Sequence, residues 1–262
     1  MGTICIYHAN CLDGFASAYA VWKALGDEAT YVPALYGDAA PDCAGRDVVM
    51  VDYTYPRPML EQIAASASSL VVLDHHDTAR RALAGILQAT TRICADQSAC
   101  KISWEYFHDS PPPDYFSAIE NYDLGRPADD AIEVSLSLQA RERSFANWDR
   151  FTLSDLLRDG RVIRPFFDAK CAETMLGTKR GLIAGRDVPV CHAPVFMADA
   201  IGRALAPGEQ FAAVVWHNSV CENVSLRSHS GGADVSVIAE SFGGGGSYHS
   251  AAFRRQGQTY RV

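Results

Sequence analysis

Side chains able to hold a metal ion or move a proton gather at four places in the first half of this chain. His8, Cys11 and Asp13 lie within one short stretch, Asp52 stands apart, Asp74, His75 and His76 are consecutive, and Asp123 follows later. Carboxylates crowded together repel one another, and burying them unpaired is costly, so such a set calls for cations. Mixed imidazole and carboxylate donors suit a first-row divalent ion such as Mn2+ better than Mg2+, which prefers oxygen and water. Two such ions about 4 Å apart can activate a water between them and stabilise the attacking and leaving oxygens of an in-line displacement at phosphorus. Each residue alone has a blander reading: a histidine at a strand end is usually just hydrogen-bonded, and an aspartate there usually caps a turn. Their joint occurrence at the ends of buried strands favours chemistry.

A second candidate site lies near the C-terminus. Gly243, Gly244, Gly245 and Gly246 follow a helical segment, and Arg227 ends an apolar run. Four glycines often make only a helix cap and turn, and Tyr248 breaks the dinucleotide-binding glycine pattern. Bare backbone N–H groups at the start of a following helix could instead approach a phosphate, with Arg227 adding a bidentate contact.

The elements that must position these groups can be read from the hydrophobic pattern. Continuous apolar runs at 3–7, 29–35, 48–51, 70–73 and 91–94 predict strands, with helices over 15–25, 56–65 and 98–107 between or after them. Strands apolar on both faces and alternating with helices predict a parallel sheet covered on both sides. Ligands of such sheets bind at the carboxyl ends of the strands, where His8, Asp52 and Asp74 fall. After Pro111-Pro112-Pro113 a helix is expected around 114–122. The pattern predicts an α/β fold in which residues 1–130 form a metal-binding domain, 131–184 a helical connector, and 185–262 a smaller α/β substrate-binding domain across a cleft. Residues 185–190 read as a linker or entry segment, followed by strands at 188–193, 211–216 and 223–227, and by a helix over 234–242 capped by Asp234.

Composition limits the partners. The formal net charge is −8 over 262 residues, which disfavours long duplex nucleic acid, whose affinity comes largely from Lys and Arg. A small phosphate ligand is compatible, because ions supply local positive charge. Of eight cysteines none forms a C-x-x-C pair, so reduced core cysteines are expected instead of zinc knuckles. The apolar runs are too short to span a bilayer, and no signal-peptide pattern is seen, so a cytoplasmic location away from membranes is expected.

These residues resemble the motifs of the DHH phosphoesterases. Leu73-Asp74-His75-His76 is similar to the motif that names the family, residues 8–14 to its first motif, Asp52 to its second and Asp123 to its fourth. Residues 225–227, Asp234 and 243–253 are similar to the DHH-associated C-terminal domain. The resemblance implies His8, Cys11 and Asp52 around one metal, and Asp13, Asp52, His75 and Asp123 around another, with Asp52 bridging. His76 would face the scissile phosphate, where protonated it could stabilise charge or assist the leaving group. The candidate catalytic residues are thus His76, Asp52 and Asp74. Arg227, Gly244, Gly245, Gly246 and either Ser247 or His249 would hold the far end of the substrate. Two departures stand out: Cys11 occupies a position the family usually gives to aspartate, and the histidine expected directly after the glycines is replaced by Ser247, with His249 two residues later.

The leading expectation is a phosphoesterase that uses two divalent ions, with Mn2+ first and Mg2+, Co2+ or Zn2+ as alternatives. Its substrates would be small phosphodiesters or phosphomonoesters: short oligonucleotides, pAp-like nucleotides or cyclic dinucleotides. Hydrolysis of pyrophosphate or polyphosphate ranks second, and a degenerate, non-catalytic nucleotide-binding role third. Monomer and homodimer both stay open.

Overall fold

The apolar runs of the first half become strands, and their alternation decides which helix covers which face. The computed structural model describes residues 2–126, 128–218 and 221–256. The chain divides into two compact units, Met1–Pro165 and Phe166–Val262. The first contains β1 (Thr3–His8), α1 (Leu12–Leu25), β2 (Thr30–Ala34), β3 (Asp47–Val51), α2 (Arg57–Ser66), β4 (Ser69–Asp74), α3 (Asp77–Leu83), β5 (Ala89–Ile93), α4 (Ala99–Phe107), α5 (Phe116–Asp123), α6 (Asp129–Gln139), α7 (Phe145–Trp148) and the start of α8 (Leu153–Met175).

The five strands are all parallel, in the order β2-β1-β3-β4-β5. Successive side chains of a strand point to opposite faces. Ile4 and Ile6, Val48 and Met50, and Leu70 and Val72 share one core with Leu60 and Ile63 of α2 and Leu83 of α3. Cys5, Val49, Val51 and Leu73 share another with Ala18 and Val21 of α1 and Ile102 of α4. Burial on both faces explains why the strands read as unbroken apolar runs, and it bears out the expected α/β class. The strand order reverses at β1, with β2 on one side and β3 on the other. A doubly wound sheet leaves its ligand crevice at that point, outside the carboxyl ends of the neighbouring strands.

Phe15 and Tyr19 of α1, Trp104 of α4, Phe116 of α5, Val134 and Leu138 of α6, Trp148 of α7 and Leu156 of α8 form a third cluster. The helices expected to open a separate connector thus pack into the first unit. The end of that predicted connector is not helical either, because Lys179–Ile183 is a strand.

In the second unit, that strand (β6) is followed by β7 (Arg186–His192), α9 (Ala198–Leu205), β8 (Ala212–His217), β9 (Cys221–Arg227), α10 (Val235–Ser241), β10 (Gly245–Ser247) and β11 (Ser250–Gln256). The sheet order is β10-β11-β9-β8-β7-β6, antiparallel except for β7 and β8. The segment 185–190, expected as a linker or entry, is the end of a hairpin turn and most of β7: Ala184 and Gly185, at φ 50° and 73°, turn β6 directly into β7, the positive dihedrals a two-residue turn requires. Asp234 caps α10 as expected, its carboxylate accepting from the N–H groups of Ser236 and Val237. Among the described residues no helix is long and apolar enough to cross a membrane.

Candidate metal centre

Four loops at the carboxyl ends of β1, β3 and β4 and at the end of α5 bring the predicted residues together. β1 delivers His8. The chain then turns through Asn10 at φ 60°, setting Cys11 at the N-cap of α1 and Asp13 in its first turn. Only glycine fits at the next position, since a Cβ on Gly14 would lie 2.2 Å from the His8 carbonyl oxygen. Asp13 is buried, and its carboxylate accepts from the backbone N–H groups of Ala99 (2.8 Å) and Cys100 (2.9 Å) at the start of α4. A helix start favours a carboxylate there through its exposed amides and dipole.

Asp52 follows β3 in the left-handed region, at φ 56°, and is 0% exposed. Such a backbone conformation is costly for a residue other than glycine and concentrates at functional sites. Neither carboxylate oxygen has a hydrogen-bond partner. Oδ2 lies 3.5 Å from His8 Nδ1, whereas Oδ1 lies 3.3 Å from His75 Nε2. The two oxygens of one side chain therefore aim at two groups of residues.

β4 delivers the other half. His75 Nε2, itself buried and without a hydrogen-bond partner, lies 3.3 Å from Asp123 Oδ2 and 3.9 Å from Asp13 Oδ2. Asp74 points back into its own loop. Its Oδ1 accepts from the His75 N–H (2.7 Å) and the His76 N–H (3.1 Å) and sits 2.7 Å from His76 Nδ1. Its Oδ2 accepts from Thr54 Oγ1 at 2.7 Å. Asp74 thereby keeps the proton on His76 Nδ1 and leaves Nε2 as the outward nitrogen.

The electrostatics are frustrated in a way that a cation relieves. Burial opposes ionisation of Asp52, but His75, His8 and His76 outweigh it and hold the carboxyl below the usual range. Burial, then the charges of Asp52 and Asp123, push Asp13 the opposite way. Burial, then the same carboxylates, also raise the Cys11 thiol. For both histidines burial favours the neutral ring, yet the surrounding carboxylates win and raise their pKa values. Three sets have donor atoms within 4.8 Å of one another: His8, Cys11 and Asp52; Asp13, His75 and Asp123; and Asp52, Asp74, His75 and His76. His75 Nε2 and both oxygens of Asp52 are buried without a hydrogen-bond partner, and Asp52 belongs to two of the three sets, so the cluster could hold a divalent ion.

The remaining predicted residues lie in the second unit. Arg227 ends β9; its Nε donates to Asp199 Oδ1 (2.9 Å), and its NH1 donates to Ser225 Oγ and the Leu226 carbonyl, each at 2.9 Å. Asp199, on α9, also accepts from Arg203 Nε at 2.9 Å. The glycine run does not lead to a helix, contrary to expectation. It enters β10, where a Cβ on Gly244 would meet the Ala252 carbonyl oxygen at 2.1 Å and Gly246 takes φ 141°. Close pairing with β11 therefore accounts for these two glycines. Ser247 pairs with Ser250 across the turn, and His249 Nδ1 lies 3.0 Å from Ser228 Oγ.

Sequence reasoning missed Thr54, the N-terminal amides of α4, and Asp199. It also missed Tyr36 and Tyr53, whose rings lie 5.7 and 6.1 Å from that of His8. Thr54, two residues past Asp52, was within reach of a local reading. The amides carry no sequence signal, because Asp13 is distant in the chain, and the i,i+4 pair of Asp199 with Arg203 does not announce the contact with Arg227.

No family model matches the chain. Among curated proteins, the uncharacterised protein R106 of Acanthamoeba polyphaga mimivirus is 27% identical over 277 residues, covering 93% of this chain; the chain spans 65% of that relative's length. Solved structures that resemble it include a pGpG-specific phosphodiesterase, PggH, from Vibrio cholerae (TM-score 0.49, 12% identity, 98% of this chain and 94% of that one). RecJ from Thermus thermophilus, in complex with Mn2+, gives 0.49 and 10%, over 96% of this chain and 49% of that one. An exopolyphosphatase-related protein from Bacteroides fragilis gives 0.43 and 13%, over 98% and 87%. At these scores the similarity is one of outline.

Proposed function

We propose that this protein is a metal-dependent phosphoesterase that hydrolyses small phosphodiesters or phosphomonoesters, such as short oligonucleotides, pAp-like nucleotides or cyclic dinucleotides. One observation carries the reading. Asp52 is fully buried in the left-handed backbone region, and its two oxygens, without hydrogen-bond partners, aim at two separate groups of side chains able to bind metal. In this reading His8, Cys11 and Asp52 hold one divalent ion, and Asp13, Asp52, His75 and Asp123 hold a second. When bound, such ions neutralise the carboxylates, polarise phosphoryl oxygens and lower the pKa of an attacking water. Mn2+ suits the mixed nitrogen and oxygen donors.

The protein's own side chains supply the rest. Asp52 keeps the two donor sets in register. The α4 amides fix Asp13, so that it meets a cation without reorganising. Asp74 locks the His76 ring and stabilises its protonated form, leaving Nε2–H to donate to a phosphoryl oxygen or to the departing group. In the second unit Arg227, held by Asp199, with Gly244, Gly245, Gly246 and Ser247 or His249, would contact a phosphate group. The net charge of −8 supports a short substrate over a long nucleic acid.

The test is hydrolysis of pAp, dinucleotides, cyclic dinucleotides and polyphosphate by one preparation, before and after chelation and with Mn2+ restored. Turnover of at least one phosphoester, abolished by chelator and recovered with Mn2+, is expected. Full turnover by metal-free protein would refute the mechanism, and polyphosphate as the sole substrate would replace the phosphoester assignment.

A further inference from the structure

The two donor sets that meet at Asp52 are not chemically equivalent. Asp13, His75 and Asp123 offer two carboxylates and an imidazole. His8, Cys11 and Asp52 offer an imidazole, a sulfur and a carboxylate, with all three donor atoms within 4.8 Å of one another. Cys11 is half-buried, unlike the buried Cys5, Cys43, Cys100, Cys171 and Cys191. It stands at the N-cap of α1, where burial and the neighbouring carboxylates raise its thiol and only the Gly14 N–H offsets them. Asp52 Oδ2, buried and without a hydrogen-bond partner, lies 3.5 Å from His8 Nδ1 in the same group. The sulfur puts a polarisable donor beside one imidazole and one carboxylate. Soft donors favour thiophilic ions, and carboxylates favour harder ones.

We infer that the centre is built for two different ions: a thiophilic divalent ion such as Zn2+ or Co2+ held by His8, Cys11 and Asp52, and a harder ion such as Mn2+ held by Asp13, His75, Asp123 and the other oxygen of Asp52. This rests on the metal-dependent reading above and deepens it. Ligation exchanges the Cys11 S–H proton, released to solvent, for a metal–sulfur bond of about 2.3 Å in the zinc case. Nothing is oxidised or reduced.

Cobalt reports the sulfur directly. The full-length, metal-stripped protein is titrated with Co2+ while bound cobalt is measured by elemental analysis and the near-ultraviolet sulfur-to-cobalt charge-transfer band is recorded. Wild type is expected to develop the band with the first equivalent. Cys11→Ser and Cys11→Asp should bind cobalt without it. In competition between Zn2+ and Mn2+, the zinc preference of Cys11→Asp should fall at least roughly 10-fold, the lower end of what even an outer-shell partner contributes to metal affinity. Cobalt bound by wild type without the band overturns thiolate ligation and leaves the metal-dependent reading standing. Failure of wild type to bind cobalt at all overturns both.

Discussion

Replacing Asp52 by asparagine keeps the shape and the backbone preference of the residue, because both types tolerate the left-handed region it occupies at φ 56°. It removes the one charge shared by both donor sets and turns one ligand oxygen into an N–H2 donor aimed at a cation. Each ion held at 100 times its dissociation constant should stabilise the folded protein by about 2.7 kcal/mol. For a unit of this size each kcal/mol is worth about 2–4 °C, so one ion should raise the melting temperature of wild type by roughly 5–10 °C, and two by more. Asp52→Asn should lose most of this increment and at least ~100-fold in kcat, the scale for removing a key electrostatic contributor. Asp47→Asn is the control. Asp47 begins the same strand, is exposed, and accepts from Ser69 Oγ at 2.6 Å, a surface position where substitutions change stability by within about 0.5 kcal/mol. Thermal scans of the three proteins with and without Mn2+, alongside kcat on a hydrolysed substrate, make the comparison. An equal Mn2+-induced shift in Asp52→Asn and wild type would show that Asp52 does not join two ions, and the site would have to be reassigned.

Asp74→Asn should lower kcat by roughly 10²–10⁴-fold, the range of general acid–base catalysis, with bound metal unchanged by elemental analysis. Loss of metal instead would make Asp74 a ligand, not the residue that positions His76. Arg227→Ala should raise KM while kcat and metal content hold, at a cost of roughly 1.5–3 kcal/mol for a lost charge-assisted contact. Unchanged kinetics in a folded variant would confine Arg227 to its bonds with Asp199 and Ser225. Gly14→Ala sets a methyl group 2.2 Å from the His8 carbonyl oxygen and should destabilise by about 1–3 kcal/mol, read as a lower denaturation midpoint. A midpoint equal to wild type would mean that α1 can shift away from β1 without penalty.

The parallel sheet and the candidate metal-ligand set were legible in the sequence because both are written in local pattern. Strands buried on two faces must be apolar throughout, so the runs that became β1, β3 and β4 were visible, and the residues that end them could be listed before any fold was known. What a one-dimensional reading lacks is the direction of each side chain. Asp74 and Asp52 both follow buried strands, yet Asp74 turns back on His76 and Thr54, while Asp52 stands unpartnered between two donor sets. The glycine run was read as a phosphate loop before a helix in preference to a cap and turn, and only its pairing with β11 showed that it enters β10. Residues 131–184 were read as one helical connector, but the place of its first part in the first core depended on Val134, Leu138 and Trp148 meeting α1, α4 and α5. The α4 amides that hold Asp13 lie some 86 residues away in the chain. The sequence by itself thus determined which chemistry could be present and at which strand ends. The tertiary structure decided which oxygen meets which nitrogen, because hydrogen-bond and metal-ligand geometry depends on contacts between segments whose separation along the chain carries no periodic signal.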